Sequence, residues 1–312
     1  MKIFHSINEF HSAKKTIVTL GTFDGVHKGH AAILKKLTHN TVNGAFESTV
    51  LTFFPHPRMV LQGNSNLKLL NTINEKIELL EKLGIENLII HPFDENFAQL
   101  TAKEFVKNIL VDQLHIQKII IGYDHRFGKN RTASIDDLIA FGTQYDFEVE
   151  QISAQEIDAI SISSTKIRNA LEAGDIQLAN QYLGYDYFLS GTVVKGKQLG
   201  RTIGFPTANM ELEEEYKLIP QTGAYVVTAE IENKQVFGMM NIGFNPTVHG
   251  KRKTIEAHFF DFDSDIYNRQ IRISILQRIR SEKKFESLEL LTKQLEEDRN
   301  FSKNYLQNLQ NK

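Results

Sequence analysis

For about the first 185 residues this chain alternates short apolar runs with stretches whose apolar residues recur every three or four positions. After that the apolar runs continue and the helical stretches stop. TIVTL (16–20), STVLTFF (48–54), NLIIH (87–91), KIIIG (118–122) and FEVEQI (147–152) read as strands. Between them, three groups each mark one face of a helix: Ile33, Leu34 and Leu37; Ile73, Ile77, Leu80 and Leu83; and Phe105, Ile109, Leu110 and Leu114. Strands that are apolar at nearly every position cannot leave one face in water. The first part is therefore predicted to be α/β, a parallel sheet with helices on both sides.

From Tyr187 to about Ile279 the pattern is FLSGTVV, AYVVTAEI, QVFGMMNI, TIEAHFF and IRISILQRI, punctuated by Gly, Asn and Pro and without intervening helices. That predicts an antiparallel β unit, a barrel or a sandwich. A charged amphipathic helix closes the chain, with Phe285, Leu288, Leu291 and Leu295 expected on one face. The boundary is expected near Leu183–Tyr187, giving domains 1–185 and 186–312, and 312 residues is a fitting length for two domains.

Composition removes several classes of function. A formal charge of −2 offers no general attraction to nucleic acid or to an anionic membrane, and the one dense basic run, HGKRK, reads as a solvated turn. With no cysteine there are no disulfides, thiolate metal sites or Cys nucleophile. The N-terminus lacks a basic stretch followed by an apolar core, and no apolar run approaches ~18 residues, so the expected location is the cytoplasm.

The first candidate site is GTFDGVHKGH, Gly21 to His30, directly after the first strand of the alternation. In an open parallel sheet ligands bind beyond the carboxyl ends of the strands. Gly21 and Gly25 let the backbone approach a ligand, and Gly29 and His30 open a helix whose N-terminal N–H groups favour phosphate. His27 and His30, three apart, can both face that ligand and donate to oxygens on which charge grows as pyrophosphate leaves. ISSTKIRNAL (162–171) adds Ser163 or Ser164 as a helix cap, the Thr165 hydroxyl in the first turn, and Arg168 within reach of a phosphate at the same end.

The second candidate site lies in the β half. GRTIGFPTANM (200–210) places Thr207 and Asn209 two apart in an extended segment, on one side of it. A hydroxyl and an amide oxygen are hard ligands suited to Mg²⁺, which bridges substrate phosphates. In TIEAHFFDF (254–262), Glu256 and His258 point to one face and Ile255, Ala257 and Phe259 to the other. A carboxylate there is placed to take a proton from an attacking alcohol.

These residues carry a resemblance. H-x-G-H with I-S-S-T-x-x-R resembles the adenylyltransferases of the nucleotidyltransferase superfamily. The longer GTFDGVHKGH with TFFPHPR (52–58) and GYDHRFGKNR (122–131) resembles the FMN adenylyltransferase part of bacterial bifunctional riboflavin kinase/FAD synthetases. P-T-A-N with NIGFNPTVHG (241–250) and LQRIRSEKKFESLELL (276–291) resembles their riboflavin kinase domain. The resemblance implies a Rossmann-like N-terminal domain and a C-terminal kinase barrel that make FMN from riboflavin and then FAD, with ATP and Mg²⁺ in the cytoplasm.

It also implies roles. His27, His30, Gly21, Phe23, Asp24, Gly29, Ser164, Thr165 and Arg168 would serve the nucleotide in the first domain. Phe54, Pro55, Asp124 and Phe127 would shape its flavin pocket. Gly196, Gly204, Thr207 and Asn209 would hold Mg-ATP in the second domain, Glu256 would be the base, and Arg280 and Phe285 would border the flavin. The chain departs from the family pattern at His125, often an aromatic residue, and at Thr132, Ala133 and Ser134, where Gly is common. Three other readings stay open at this point: a related adenylyltransferase with another acceptor, a descendant with one activity and a decayed second site, and a flavin-binding regulator without catalysis.

Overall fold

The computed structural model describes residues 1–41, 43–61, 66–122, 125–153, 162–196, 199–247 and 250–310. The chain divides into two compact units, Met1–Ser164 and Thr165–Lys312.

The first unit is built on six strands: β1 (Lys2–Phe4), β2 (Thr16–Leu20), β3 (Glu47–Phe53), β4 (Asn87–His91), β5 (Ile116–Gly122) and β6 (Glu148–Ile152). They form one sheet in the order β1-β4-β3-β2-β5-β6, and every pairing is parallel. The five expected strands are present. β1, only three residues long, adds an edge that its length hides from periodicity.

Alternate residues of the central strands feed two separate cores. Val18, Leu51, Ile89, Ile119 and Ile121 pack on one face, and Ile17, Val50, Leu88, Ile90 and Ile120 on the other. That double burial is why these strands read as continuous apolar runs. The chain runs from β2 outward through β3 to β4, then returns to β5 on the other side of β2. The loop after β2 thus leaves the sheet at a switch point, where such sheets form a ligand crevice. The Phe105–Gln113 helix is wound more widely than its apolar spacing predicts, with Leu114 N–H reaching the carbonyl of Ile109, five residues back, at 2.9 Å.

The second unit holds β7 (Phe188–Val194), β8 (Ala208–Glu211), β9 (Gly223–Ile231), β10 (Lys234–Thr247), β11 (Gly250–Phe259) and β12 (Gln270–Arg280). They close a barrel in the order β10-β11-β8-β7-β12-β9, antiparallel throughout. Ile255, Ala257 and Phe259 of β11 and Ile271, Ile273 and Ile275 of β12 fill its interior.

Three expectations are corrected here. β8, in the segment expected to be extended, is a sixth barrel strand. A short helix, Leu199–Thr202, interrupts a stretch expected to hold strands alone. The closing helix begins only at Leu288 and runs to Gln310, so Phe285 precedes it. Ser287 sets that start: its hydroxyl accepts from Leu290 N–H at 3.2 Å and its carbonyl from Leu291 N–H at 3.2 Å. Leu288 is then 52% exposed, and the buried stripe of the helix falls on Asp298, Ser302 and Leu306.

Candidate active sites

The first site is the loop after β2. Asp24 is buried, and its carboxylate accepts from Leu70 N–H at 2.8 Å. Its carbonyl accepts from the Ser164 hydroxyl at 2.9 Å. Ser164 is the first helical residue of Ser164–Ala173, so of the two capping candidates it is the one that ties down the loop instead. Asp24 thus anchors the loop to two segments distant in sequence. Phe23 is buried, its ring packed in the core and edge-on to His30 at 5.2 Å.

His27 caps the Lys28–His39 helix: its Nδ1 accepts from His30 N–H at 3.3 Å. Because Nδ1 accepts, the proton of the neutral ring sits on Nε2, which is left as a donor. The two imidazoles stack, centroids 3.6 Å apart and planes 16° from parallel. Burial lowers His27 to about 4, and burial, then His27 and Lys76, hold His30 well below its usual value. Both rings are neutral at pH 7. In that state each ring can donate a hydrogen bond but carries no charge, and His30 Nδ1 is a buried atom with no partner among the described residues. Gly29 is buried in the first helical turn.

The flavin-pocket expectations of this unit divide. Phe54 packs partly buried at the end of β3, and Pro55 is exposed beside it. Phe127 is buried in the other core, 6.0 Å from Phe105, so its ring is part of the packing. His125 stacks on Phe127 at 6.2 Å. Asp124 lies outside the described residues. In the second unit Thr165 is exposed and Arg168 is buried, so the latter is not a surface arginine.

The second site is assembled by strand register. Glu256 of β11 lies opposite Asn209 of β8 on one side and Asn241 of β10 on the other. Directly paired residues share a face of the sheet. The rung continues through Ala224 of β9 to Arg280 of β12. Beside it opens a cavity of about 240 Å³ lined by Thr207, Asn241, Glu256, His258, Arg280 and Phe285, among others. Asn209 itself is not in that lining. Its amide lies against Gly196, where an added Cβ would come 2.1 Å from Asn209 Nδ2. Gly204 turns in the left-handed region, at φ 81°, facing open space.

Two residues of this cavity escaped the sequence reading, and a third shows how its wall is held. Asn241 opens the NIGFNPTVHG segment, which assigns it no role, and it joins the site through the pairing of β10 with β11. Asp298, ten residues into the closing helix, holds Arg280 through Nε at 3.0 and 3.1 Å and Nη2 at 2.7 Å. That fixes the guanidinium 5.7 Å above the Phe285 ring. His258 Nδ1 lies 2.8 Å from the carbonyl of Pro206 and pins the residue before Thr207 to β11. Among the described residues no three His, Cys, Asp or Glu side chains gather to hold a metal. No helix among them is long and apolar enough to cross a membrane.

Comparison with known proteins matches one family to each part of the chain. The FAD synthetase family matches residues 9–166 and the riboflavin kinase family residues 183–306. A bifunctional riboflavin kinase/FMN adenylyltransferase of Bacillus subtilis is 38% identical over 321 residues, covering 99% of each chain. One of the same description from Escherichia coli K12 is 35% identical, covering 96% of each. A crystal structure titled macrolide-efflux protein, from Streptococcus pneumoniae, superposes with a TM-score of 0.88 at 31% identity, covering 97% of this chain and 98% of that one. Its title stands apart from the curated names, although the fold is shared over nearly the whole chain.

Proposed function

The chain belongs to the bifunctional riboflavin kinase/FMN adenylyltransferase family, and from that premise we infer how its own residues divide the two reactions. The protein phosphorylates riboflavin with ATP to FMN and ADP, and transfers AMP from ATP to FMN, giving FAD and pyrophosphate. Both steps are in-line displacements at phosphorus by an oxygen nucleophile, and they differ in the proton. The riboflavin hydroxyl must lose one as it attacks, whereas the FMN phosphate is already ionised near neutral pH. One site therefore needs a base and the other does not.

In the kinase, Glu256 takes the proton of the ribityl 5′-hydroxyl. The observation that carries this is its place in the Asn209–Glu256–Asn241 rung on the wall of a cavity large enough for part of a flavin. The Thr207 hydroxyl and Asn209 amide oxygen are hard donors that suit Mg²⁺, and two protein ligands leave the rest of its shell to water and phosphates. When bound, the ion would neutralise charge on the γ-phosphate. Arg280 and Phe285 are assigned to the flavin edge, held by Asp298, and Gly196 and Gly204 to the nucleotide.

In the adenylyltransferase, the backbone of Gly21–Gly25 and Gly29 admits the triphosphate. His27 through Nε2–H and His30 stabilise charge gathering on pyrophosphate. Ser164 holds the loop through Asp24, and Thr165 and Arg168 keep the nucleotide roles that the resemblance implies. Phe54, Pro55 and Asp124 are assigned to the flavin pocket, with Phe127 behind it. We place the functional boundary at 185/186, and the protein in the cytoplasm, where the ATP that both reactions consume is made available.

The test is a time course of purified protein with riboflavin, ATP and Mg²⁺, resolved by chromatography. FMN is expected first and FAD after it. FMN without FAD would remove the adenylyltransferase assignment, and no product would remove both.

Gly196→Ala is a finer probe. The new methyl must displace the Asn209 amide, a side chain free to swing, while the backbone stays in place. Riboflavin phosphorylation is expected to fall by about tenfold or more, as for loss of one hydrogen-bonded ligand contact. FMN adenylylation and the melting temperature should hold. A kinase rate left unchanged would take Asn209 out of the nucleotide site.

A further inference from the structure

The G-T-F-D-G loop is strained. Phe23 and Val26 hold φ values of 46° and 37°, in the left-handed region that side chains other than glycine seldom adopt, and Gly25 stands between them at 87°. Strain of this kind persists only where surrounding contacts over-determine it, and it gathers at sites that bind or react. Asp24 and Ser164 hold the far end of the loop. At the near end, the carbonyl of Thr22 accepts from Lys76 Nζ at 2.8 Å and from the Thr52 hydroxyl at 3.3 Å.

Lys76 lies on the Ile73–Lys82 helix and is 4% exposed. No motif in the sequence marks it. An ammonium has three donors, and Thr22 takes one; a lysine is seldom buried so completely without a task for its charge. Burial pushes Lys76 down to about 8, against the pull of neighbouring Asp24, so it remains largely a cation at neutral pH.

The geometry has a direct consequence. In a planar trans peptide the C=O and the next N–H point in opposite directions. With the Thr22 carbonyl drawn inward by Lys76 and Thr52, the N–H of Phe23 points away from them, and it has no acceptor among the described residues. The buried Nδ1 of His30, whose ring packs edge-on against the Phe23 ring with centroids 5.2 Å apart, is likewise without a partner among the described residues. Unused polar groups so placed fit an anion, and successive N–H groups in a left-handed turn form a concavity that binds one.

We propose that Lys76 is a positioning residue for adenylyl transfer: it holds the Thr22–Phe23 peptide so that the Phe23 N–H faces the phosphates of the nucleotide. The inference rests on the assignment of this loop to adenylyl transfer. Lys76 does not touch the substrate; its charge and its hydrogen bond act through the backbone.

The test uses the full-length protein, with riboflavin phosphorylation as an internal control. Lys76→Met keeps the length of the side chain and removes its donors. The KM for ATP in FMN adenylylation and the inhibition constant of inorganic pyrophosphate are expected to rise together by about tenfold, the loss of one hydrogen bond to a charged group. The KM for FMN and the kinase rate should stay within about twofold on the same reasoning.

Lys76→Arg, which keeps a cation and donors, should restore part of the ATP KM. Thr52→Val, which removes the longer of the two bonds, should move the same two constants in the same direction by less, and it serves if Lys76→Met does not fold. A domain merely weakened would lose active fraction, hence kcat, with both constants unmoved; that result overturns the proposal, as does an unchanged ATP KM. If the wild-type protein makes no FAD, the loop assignment falls and the proposal with it. If it makes FAD and the variants match it, only the proposal falls.

Discussion

Glu256→Gln is expected to lower kcat for riboflavin phosphorylation by about 10²–10⁴-fold, the usual contribution of a positioned general base. Glutamine matches glutamate in size and still offers an oxygen to the neighbours that Asn209 and Asn241 place on either side. It cannot accept the proton of the attacking hydroxyl. The loss should therefore fall on kcat, with the KM values for riboflavin and ATP moving by no more than about a few-fold, since the ground-state contacts survive. FMN conversion to FAD, measured in the same preparation, should be unchanged, because the FMN phosphate needs no base. A kinase rate within tenfold of the parent would remove Glu256 as the base. Loss of both activities in a folded protein would mean that the two reactions do not have separate sites.

His30→Ala is expected to have the complementary effect. FAD formation from FMN should fall by about 10²–10³-fold, the range for removing one donor that stabilises developing negative charge. Riboflavin phosphorylation should continue.

His27 needs a different substitution, because its Nδ1 also caps the Lys28–His39 helix. Alanine there would cost about 1 kcal/mol of helix stability and blur the reading. Asparagine caps as well as any residue and has no imidazole. His27→Asn should keep its melting temperature and still lose FAD formation by a similar factor. Full activity in His27→Asn would reduce His27 to a cap. The linked shift of both histidines has a stability consequence with a definite sign. Their folded values lie below the ordinary 6.5, so the unfolded chain takes up protons first, and stability is lost as pH falls from about 6.5 toward 4.

The fold, and the segments that form each candidate site, are legible in the sequence where local rules and tertiary structure coincide. A strand buried on both faces has to be apolar throughout, so β2 to β5 announce themselves, and β7 and β12 alternate because only one side faces the core. β1 and β8 are not legible as strands in the sequence. With three and four residues they are too short to show a period, and pairing with β4 and β11 defines them. Phe285 fits the spacing of the closing helix yet precedes it, because the Ser287 cap that starts the helix acts through hydrogen bonds that periodicity does not register.

The sequence by itself determined the change from strand–helix alternation to strands alone, and it marks the candidate residues of GTFDGVHKGH, P-T-A-N and the T-I-E strand, because particular side chains at short, regular spacings can be read along a chain. Only the tertiary structure decided what stands beside them. Asn241 meets Glu256 through strand register, Asp298 meets Arg280 across eighteen positions, and Lys76 meets Thr22 across fifty-four. The physical reason is the same in each case. A hydrogen bond or an ion pair depends on separation in space, and contacts between elements are set by how sheets and helices pack, which leaves no period in the chain to read.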